Sequence, residues 1–212
     1  DHVRKEFPGV VALKDVSFSV KKGEVHALLG ENGAGKSTLL NILHGVFTAT
    51  SGKILLDGQP ANYTSPYEAI EKGVIKVHQE VQVVEHQNVA QNIALGFEKT
   101  KAGLLDYKDI NARVDEILKD LGCSFRSVDS VAGLGVGDLQ RMAIAKSLYH
   151  NADVISLDEP TSALSTTEIE KLFEIVRELK KKGLTIIFIS HKLDEIFEIA
   201  DRITILRDGE YG

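Results

Sequence analysis

Residues 30–38, with the sequence GENGAGKST, have the types and the spacing needed to bind a phosphate chain. They match the pattern G-x-x-x-x-G-K-[ST], whose glycines let successive backbone N–H groups surround an oxyanion. An apolar run at 25–29 precedes the loop and apolar residues at helical spacing follow it, so the loop lies between a strand and a helix N-terminus. We therefore expect Lys36 to reach the β- and γ-phosphates of a nucleotide and Ser37 to bind Mg²⁺.

The alternative interpretation of this stretch is a chance glycine-rich turn. At average residue frequencies, such a match in a chain of this length has odds on the order of 1%, before the strand and helix around it are counted. The predicted nucleotide-binding residues of the loop are Gly30, Asn32, Gly33, Ala34, Gly35, Lys36, Ser37 and Thr38.

Two acids follow a second apolar run, at residues 153–157. A buried strand that carries two acids at its carboxyl end is the place where phosphate-loop proteins hold Mg²⁺. We expect Asp158 to hold the metal through water and Glu159 to polarise an attacking water beside the γ-phosphate. The alternative is a solvated acidic turn at the end of a strand.

Two further polar residues also come directly after apolar strands. His191 follows the run at 184–189, and Gln79 follows the run at 74–77. If these strands are parallel and end near the phosphates, His191 would reach the γ-phosphate. Taken singly, a histidine at such a position is usually a capping or structural residue, and a glutamine is most often a surface residue.

The pattern around these residues predicts an α/β fold. The runs at 153–157 and 184–189 are apolar enough for central parallel strands, with a helix between them that starts at a capping box, Ser165 and Glu168. Alternation at 16–20 and the run at 52–58 predict an antiparallel part beside this core. From 89 to 149 the period becomes helical.

The order of predicted strands, then helices, then strands along the chain indicates one domain of 212 residues with an insertion. We expect a mostly parallel phosphate-loop NTPase sheet, flanked by helices, in residues 1–88 and 152–212 together with the antiparallel β part. Residues 89–151 are expected to form the inserted helical subdomain. The missing initial Met and the strand-and-turn pattern at the end predict a piece of a longer chain.

Composition restricts the possible partners and surroundings. The net charge of −6 provides no global basic field for nucleic acid, and no run of residues is long enough to span a bilayer. The single cysteine, Cys123, excludes an intrachain disulfide and suits a reducing compartment, where we expect it to pack as a small apolar residue.

Together the four motifs, in this order and separation, resemble those of the ABC-type ATPases, and the resemblance covers essentially the whole chain. It implies ATP as the nucleotide and Mg²⁺ as the cofactor. The implied catalytic residues are Lys36, Gln79, Glu159 and His191, and the implied metal ligands are Ser37, Gln79 and Asp158. In this family Gln79 corresponds to the glutamine that also senses the transport partner.

The resemblance implies a role for an aromatic residue near the start of the chain. In this family an aromatic side chain stacks on adenine, and Phe7 holds that position here. The family more often has tyrosine, but a π-face is what stacking requires. A plain core residue is the alternative for Phe7.

The family's signature, usually L-S-G-G-Q ahead of a helix, departs from its pattern here. In this family the signature acts on the ATP of the opposite subunit, and its serine hydroxyl caps the γ-phosphate. A glycine, Gly135, replaces that serine, so the N–H donors stay and the hydroxyl is lost. Ser165 likewise replaces the usual aspartate of the D-loop. The matching residues are Leu134, Gly135, Val136, Gly137 and Asp138.

The amino-acid sequences of several segments are similar to those in the N-terminal half of monosaccharide-importer ATPases of the ribose, galactose and xylose type. Those proteins carry two ATPase halves in one chain. These segments are residues 7–10, 30–38, 77–80, 158–164 and 190–197. The resemblance implies an ATP-hydrolysing importer subunit, peripheral on the cytoplasmic face of the membrane, that couples hydrolysis to uptake of a monosaccharide. Implied partners are a second ATPase half, transmembrane permease subunits and, indirectly, an extracytoplasmic solute-binding protein, with no nucleic acid.

Two other functions remain open at this point. One is a soluble ABC-type ATPase acting on DNA ends, ribosomes or Fe–S assembly, against which stands the lack of any basic or coiled-coil insertion. The other is a regulatory nucleotide-binding module without turnover, against which Glu159 and His191 argue. The sequence does not identify the sugar, which a permease and a binding protein would select.

Overall fold

The computed structural model describes residues 1–61, 63–98, 100–101 and 104–211. Within them, strands and helices alternate along most of the chain, as an α/β fold requires. The strands are β1 (Val3–Phe7), β2 (Val10–Val16), β3 (Val25–Leu29), β4 (Leu55–Leu56), β5 (Gln59–Pro60), β6 (Val74–Val77), β7 (Thr100–Lys101), β8 (Leu104–Leu105), β9 (Val154–Asp158), β10 (Thr185–Ile189), β11 (Arg202–Arg207) and β12 (Glu210–Tyr211). The helices are α1 (Lys36–Leu43), α2 (Pro66–Glu71), α3 (Val89–Ala94), α4 (Tyr107–Asp120), α5 (Val136–Tyr149), α6 (Thr166–Lys181) and α7 (Leu193–Ile199), with a 3₁₀ turn at Val131–Gly133.

An eight-stranded mixed sheet with the order β1-β2-β12-β11-β3-β10-β9-β6 forms the framework. Its five strands from β11 to β6 are parallel, whereas the β1–β2 and β11–β12 pairs are antiparallel. The central strand β10 is buried at every position because helices cover both faces of the sheet. The prediction of a mostly parallel sheet with an antiparallel part is confirmed.

Four predicted strands agree with the structure to within one residue. The predicted strands at 25–29 and 74–77 are β3 and β6, while β9 and β10 begin one residue later than expected. These are short apolar runs bounded by glycine or polar residues, which is the pattern that buried strands show. The run at 52–58 shrinks to the two residues of β4, because the chain turns back at Asp57 and Gly58, both at positive φ, into β5.

The prediction of a strand at residues 16–20 is wrong. Burial does alternate there, since Val16 is buried, Ser17 and Ser19 are exposed, and Phe18 is half-buried against the ring of His26. The ladder nevertheless stops at Val16, which pairs with Val3, the first residue of the neighbouring strand β1. No strand pairs with residues 17–20 in the described part of the sheet, so the alternation reflects burial and not a strand.

The helical pattern predicted between residues 89 and 149 corresponds to α3, α4 and α5. The apolar residues of the predicted helical period are buried, except Ile117 and Leu148, which are partly buried, and α4 ends before Gly122, whose φ is 65°. These faces belong to one apolar core that also includes Val77, Ile155 and Leu157 of the central sheet. Because the helices and the sheet share this core, the division at residues 88/89 and 151/152 stays a prediction.

A second apolar core lies under α1 and joins the antiparallel strands to the parallel sheet. It contains Leu39 and Leu40 of α1, Leu13 and Val16 of β2, and Ile187 of β10. Burial in such cores provides most of the stabilisation of a domain, at about 25 cal/mol per Å² of apolar surface. Among the residues that the structure covers, no helix is both long and apolar enough to cross a membrane.

Both ends of α6 are held by side-chain contacts, and Cys123 is packed in the fold. The Ser165–Glu168 capping box is present at the start of α6, as predicted. Lys180 and Lys182 at its other end pair with Asp201 and Asp120, so ion pairs connect the C-terminal end of α6 to neighbouring segments. Burial raises the pKa of the Cys123 thiol to about 11, which fits a packed, unreactive side chain.

Gly209, in the turn between β11 and β12, provides a test of how the antiparallel strands are joined to the parallel ones. Its φ is +77°, and a Cβ there would lie 2.7 Å from the carbonyl oxygen of Ala12 in β2. Its carbonyl accepts a hydrogen bond from Lys14 N at 2.8 Å, and its N–H donates to Ala34 O in the phosphate loop at 3.2 Å. The turn therefore fixes both β2 and the loop.

We expect Gly209→Ala to lower the free energy of unfolding substantially more than Gly58→Ala. Gly58 has the same φ of +77°, but a Cβ at that position would meet no atom within 4 Å, so it reports the backbone penalty alone, about 1–2 kcal/mol. The clash with Ala12 adds about 1–3 kcal/mol at Gly209. Urea denaturation of both variants measures the difference, and equal losses would contradict the packing described.

Candidate functional site

The phosphate loop connects β3 to α1 in a form that depends on two close backbone approaches. At Gly35, where φ is 103°, a Cβ would lie 2.6 Å from Leu13 Cδ2 and 2.9 Å from Ala12 O. At Gly30 a Cβ would lie 2.5 Å from Leu206 O. Glycine is therefore required at both positions by contact with β2 and β11. Gly35 is also the N-cap of α1 and provides no side-chain acceptor, so the first-turn N–H groups stay free of a side-chain cap.

The ammonium group of Lys36 lies on the loop itself. Its Nζ donates to the carbonyl oxygens of Gly30 at 2.6 Å and Glu31 at 3.0 Å, and the residue is 8% exposed. The charge is thus held at the inner edge of the loop by two carbonyl dipoles. A phosphate placed against the loop amides would meet a positive charge that is already oriented.

A cleft of about 720 Å³ opens beside the loop and brings the predicted groups together. Gln79, Asp158 and Glu159 line it, together with residues of the loop and of α1 that are predicted to bind nucleotide. Those loop and helix residues are Asn32, Gly33, Gly35, Lys36, Ser37 and Thr38. Among the predicted residues, Gly30 and Ala34 support the loop from behind, and Ala34 is 4% exposed.

The arrangement follows from the sheet. In β9 and β10 the pairing of Asp158 with Ile189 places the two strand ends at one edge, next to the loop that follows β3. His191 Nδ1 consequently lies 3.1 Å from Glu159 Oε1. His191 is itself more exposed and contacts the cleft through Glu159.

Glu159 has an unusual backbone for a glutamate. Its φ is 45°, in the left-handed region that a side chain with a Cβ rarely adopts, and its N–H donates to Ile189 O at 3.0 Å. Such a conformation persists because neighbouring structure fixes it, here the adjacent strand β10. The strained turn directs the Glu159 carboxylate into the cleft instead of along the strand.

Asp158 carries a partner that the sequence analysis did not identify. Its Oδ2 lies 2.9 Å from Lys76 Nζ, and the two side chains are 21% and 11% exposed. Lys76 projects from β6 on the same sheet face because it pairs with Ser156, two residues before Asp158. A lysine inside an otherwise apolar strand was the signal available in the sequence.

Gln79 and the segment after Glu159 are also in contact. Gln79 Nε2 donates to Ser162 Oγ at 3.3 Å. This hydrogen bond joins the loop after β6 to the loop after β9 on the open side of the cleft.

Glu195, a buried residue of α7, links the loops after β9 and β10 and was also missed. Its Oε2 accepts hydrogen bonds from Thr161 Oγ1 at 2.7 Å and Ser190 Oγ at 2.9 Å, while its Oε1 lies 3.0 Å from Lys192 Nζ. The sequence did contain a signal: Glu195 precedes the buried Ile199 by four residues, which places it on the inward face of a helix.

The signature segment lies outside this cleft. Gly135 is the N-cap of α5 without a side-chain cap hydrogen bond, and Val136 is 53% exposed. Gly137 packs on α6, where a Cβ would lie 2.5 Å from Glu168 Oε1, and Asp138 pairs with Arg141. Gly135 and Val136 are thus exposed while Gly137 is buried, and none of the segment lines the cleft of its own chain.

Phe7 does not line the cleft in the described part of the structure. Its ring packs edge-on against Phe47 at 5.3 Å, with Lys5 Nζ 5.0 Å from its centroid. Val10 and Val11, 60% and 41% exposed, are the apolar residues of the β1–β2 hairpin at the mouth of the cleft. The proposed adenine contact of Phe7 stays a prediction.

The Glu195 contacts lead to a stability prediction with a control on the same helix. Glu195→Gln turns one oxygen into an NH₂ group that faces either two hydroxyl donors or an ammonium, so we expect a loss of about 1–3 kcal/mol in unfolding free energy. Glu198→Gln, at an exposed ion pair with Arg177, should stay within about 0.5 kcal/mol. Urea denaturation distinguishes them, and similar small losses would show that Glu195 does not hold the loops.

Curated proteins match the chain over its full length or nearly so. It is 46% identical over 212 residues to the putative ribose/galactose/methyl galactoside import ATP-binding protein 2 of Agrobacterium fabrum, covering 100% of this chain and 41% of that protein. It is also 46% identical over 211 residues to the ribose import ATP-binding protein RbsA of Halalkalibacterium halodurans and to the xylose import ATP-binding protein XylG of Thermoanaerobacter pseudethanolicus, covering 99% of this chain and 42% of each. The chain therefore spans about two fifths of the length of these relatives.

Solved structures agree with the fold. A nucleotide-free ATP-binding cassette from an ABC transporter superposes with a TM-score of 0.89 at 26% identity, over 100% of this chain and 87% of that one. A dimeric post-hydrolysis state of an ATP-binding cassette bound to ADP and Pi gives 0.83 at 27% identity, over 99% and 94%. The predicted phosphate-loop NTPase core is thereby confirmed.

The ABC transporter family pattern matches residues 13–162, more than half of the chain, and the chain belongs to the ABC transporter ATP-binding family.

Proposed function

We propose that this chain binds and hydrolyses ATP as part of an importer that takes up a small solute, a monosaccharide. One observation carries the proposal: the phosphate loop and the two acids at the end of β9 line the same cleft. The names of relatives at 42–46% identity, which describe ribose, xylose and galactoside import, support the solute class.

In the proposed complex the triphosphate lies along the loop between β3 and α1. The N–H groups of the loop and of the first turn of α1 donate to phosphate oxygens, and the Lys36 ammonium exchanges its bonds to Gly30 and Glu31 for the β- and γ-phosphates. Phe7, or the exposed Val10 and Val11 that line the cleft, would contact the base, since all three belong to the β1–β2 hairpin.

The residues present fit a magnesium ion. A serine hydroxyl, Ser37, a carboxylate, Asp158, and an amide oxygen, Gln79, line one cleft, and oxygen ligands of this kind are those that Mg²⁺ takes together with phosphates and waters. We propose that these three side chains bind the ion, directly or through water. When bound, Mg²⁺ would neutralise charge on the β- and γ-phosphates.

Hydrolysis requires a water in line with the bond between the γ-phosphorus and the bridging oxygen. The Glu159 carboxylate, turned into the cleft by its left-handed backbone, orients that water or takes its proton as the new P–O bond forms and ADP leaves. His191, 3.1 Å from Glu159, holds this carboxylate and adds a donor near the γ-phosphate. Catalysis is then positioning together with electrostatic stabilisation.

The open cleft requires a second ATPase half to close it. The signature segment of this chain is exposed at Gly135 and Val136, so it can act on ATP bound to a partner, and the partner's signature would cover the ATP bound here. The dimeric cassette structure that resembles this chain supports such a pair. Gly135 offers N–H groups and no hydroxyl, so the partner's site would work without that hydroxyl.

We also propose that the importer's permease docks near Gln79 and α3–α5. Gln79 contacts Ser162 across the mouth of the cleft, so a permease segment bound there would be coupled to the loop that carries Glu159. The same proposal places the chain peripherally on the cytoplasmic face of the membrane, with a solute-binding protein on the other side. Co-purification of the full-length protein with a permease tests this part of the proposal.

Replacement of Lys36 tests the phosphate assignment. We expect Lys36→Ala to weaken ATP binding at least about 100-fold, because a buried, oriented charge opposite the phosphates is lost. Isothermal titration with ATP and Mg²⁺ measures this, with Lys53→Ala, an exposed lysine outside the cleft, as the control that keeps wild-type affinity. Undiminished affinity in a folded Lys36→Ala protein would remove the loop from the binding site.

Replacement of Glu159 separates binding from turnover. Glu159→Gln keeps the size of the side chain and removes its basicity, so ATP affinity should change less than about threefold while hydrolysis falls at least about 100-fold. Phosphate release is measured in the complex with the second ATPase half and the permease. Glu174→Gln, on the exposed face of α6, is the matched control, and normal turnover of Glu159→Gln would exclude Glu159 from catalysis.

A further inference from the structure

Lys76 is a largely buried cation for which the proposed hydrolysis has no use. It lies in β6, whose other three residues are buried and apolar, and its own side chain is 11% exposed. A lysine rarely lies so deep unless it is paired. Its position opposite Ser156 aims it along the sheet towards the carboxyl end of β9.

The charged partner of Lys76 is the proposed metal-holding carboxylate. Its Nζ lies 2.9 Å from Asp158 Oδ2, within hydrogen-bond distance. The neighbouring His44 is neutral at physiological pH, because burial and the Lys76 charge lower its pKa to about 4, and it contacts Ser156 Oγ at 3.0 Å. Burial and the same lysine also lower the pKa of His78. Asp158 is thus the anion that balances Lys76.

We propose that Lys76 is a built-in counter-cation that competes with Mg²⁺ for Asp158 and so sets the magnesium requirement of the nucleotide site. The inference rests on the proposed function, since it concerns the same cleft. With Lys76 in place, the negative charge of Asp158 is already neutralised before any metal binds. A metal that takes the carboxylate must also leave a buried ammonium without its partner, which is unfavourable.

The same lysine would act in the opposite direction when the metal is absent. A fixed ammonium next to Asp158 prevents an uncompensated carboxylate from repelling the triphosphate, since it cancels that charge at the edge of the cleft. Lys76 therefore should weaken Mg²⁺ binding and strengthen metal-free nucleotide binding. A lysine that merely filled space would affect stability and neither of these quantities.

The test uses the full-length protein with Glu159→Gln, so that nucleotide is not consumed, and adds Lys76→Met, which keeps the length of the side chain and removes the charge. Binding of a fluorescent ATP analogue is followed while Mg²⁺ is titrated, and again in EDTA. We expect the Mg²⁺ midpoint to fall about 3- to 10-fold and the affinity in EDTA to fall about threefold or more. Lys72→Met, which removes an exposed charge near β6 outside the cleft, should leave both unchanged.

A second measurement separates this inference from the proposed function. Thermal unfolding with Mg²⁺ alone needs no nucleotide, and the melting temperature of the Lys76→Met protein should rise more with Mg²⁺ than that of its parent. If the parent does not bind the analogue, the proposed function fails while this comparison still decides the inference. If Lys76→Met does not fold, Lys76→Gln takes its place. Equal Mg²⁺ responses of variant and parent would overturn the counter-cation role.

Discussion

The parallel alignment of β3, β9 and β10 is the constraint on which the rest of this structure depends. Parallel neighbours end at the same edge of a sheet, and each of these strands ends in a loop with a chemical group: the phosphate loop, the two acids, and His191. The strands are held together by a ladder buried on both faces, so its register fixes where their ends lie. Groups more than 120 residues apart along the chain thereby form one site.

The loops at that edge are themselves restrained from below and from the side. Gly30 and Gly35 let the phosphate loop lie directly on β11 and β2, where any side chain would collide with backbone or a core leucine. The buried carboxylate of Glu195 holds the loops that follow β9 and β10. The loops of the site are therefore fixed by close packing and hydrogen bonds. The Gln79–Ser162 hydrogen bond, in contrast, is exposed, so a partner could contact it directly.

Two charged groups of the cleft already have partners within the chain. Lys36 donates hydrogen bonds to two carbonyl oxygens, and Asp158 forms an ion pair with Lys76. A triphosphate with its metal would exchange these internal partners for its own oxygens and cation. The free energy of binding is then the difference between the contacts within the free site and the contacts with the ligand and its metal. Removal of a single charge, such as that of Lys76, should therefore change it.

The sequence by itself determined the four motifs, the strands at 25–29, 74–77, 153–157 and 184–189, and the helices α1, α3, α4, α5 and α6. These depend on local pattern: short apolar runs, helical periodicity, and glycine where backbones meet. Only the tertiary structure decided the contacts between distant residues. The end of β2 at Val16 depends on where β1 begins, and the place of Phe7 depends on Phe47. Lys76 opposite Asp158 and Glu195 beneath two loops depend on strand register and helix docking, which no local pattern encodes.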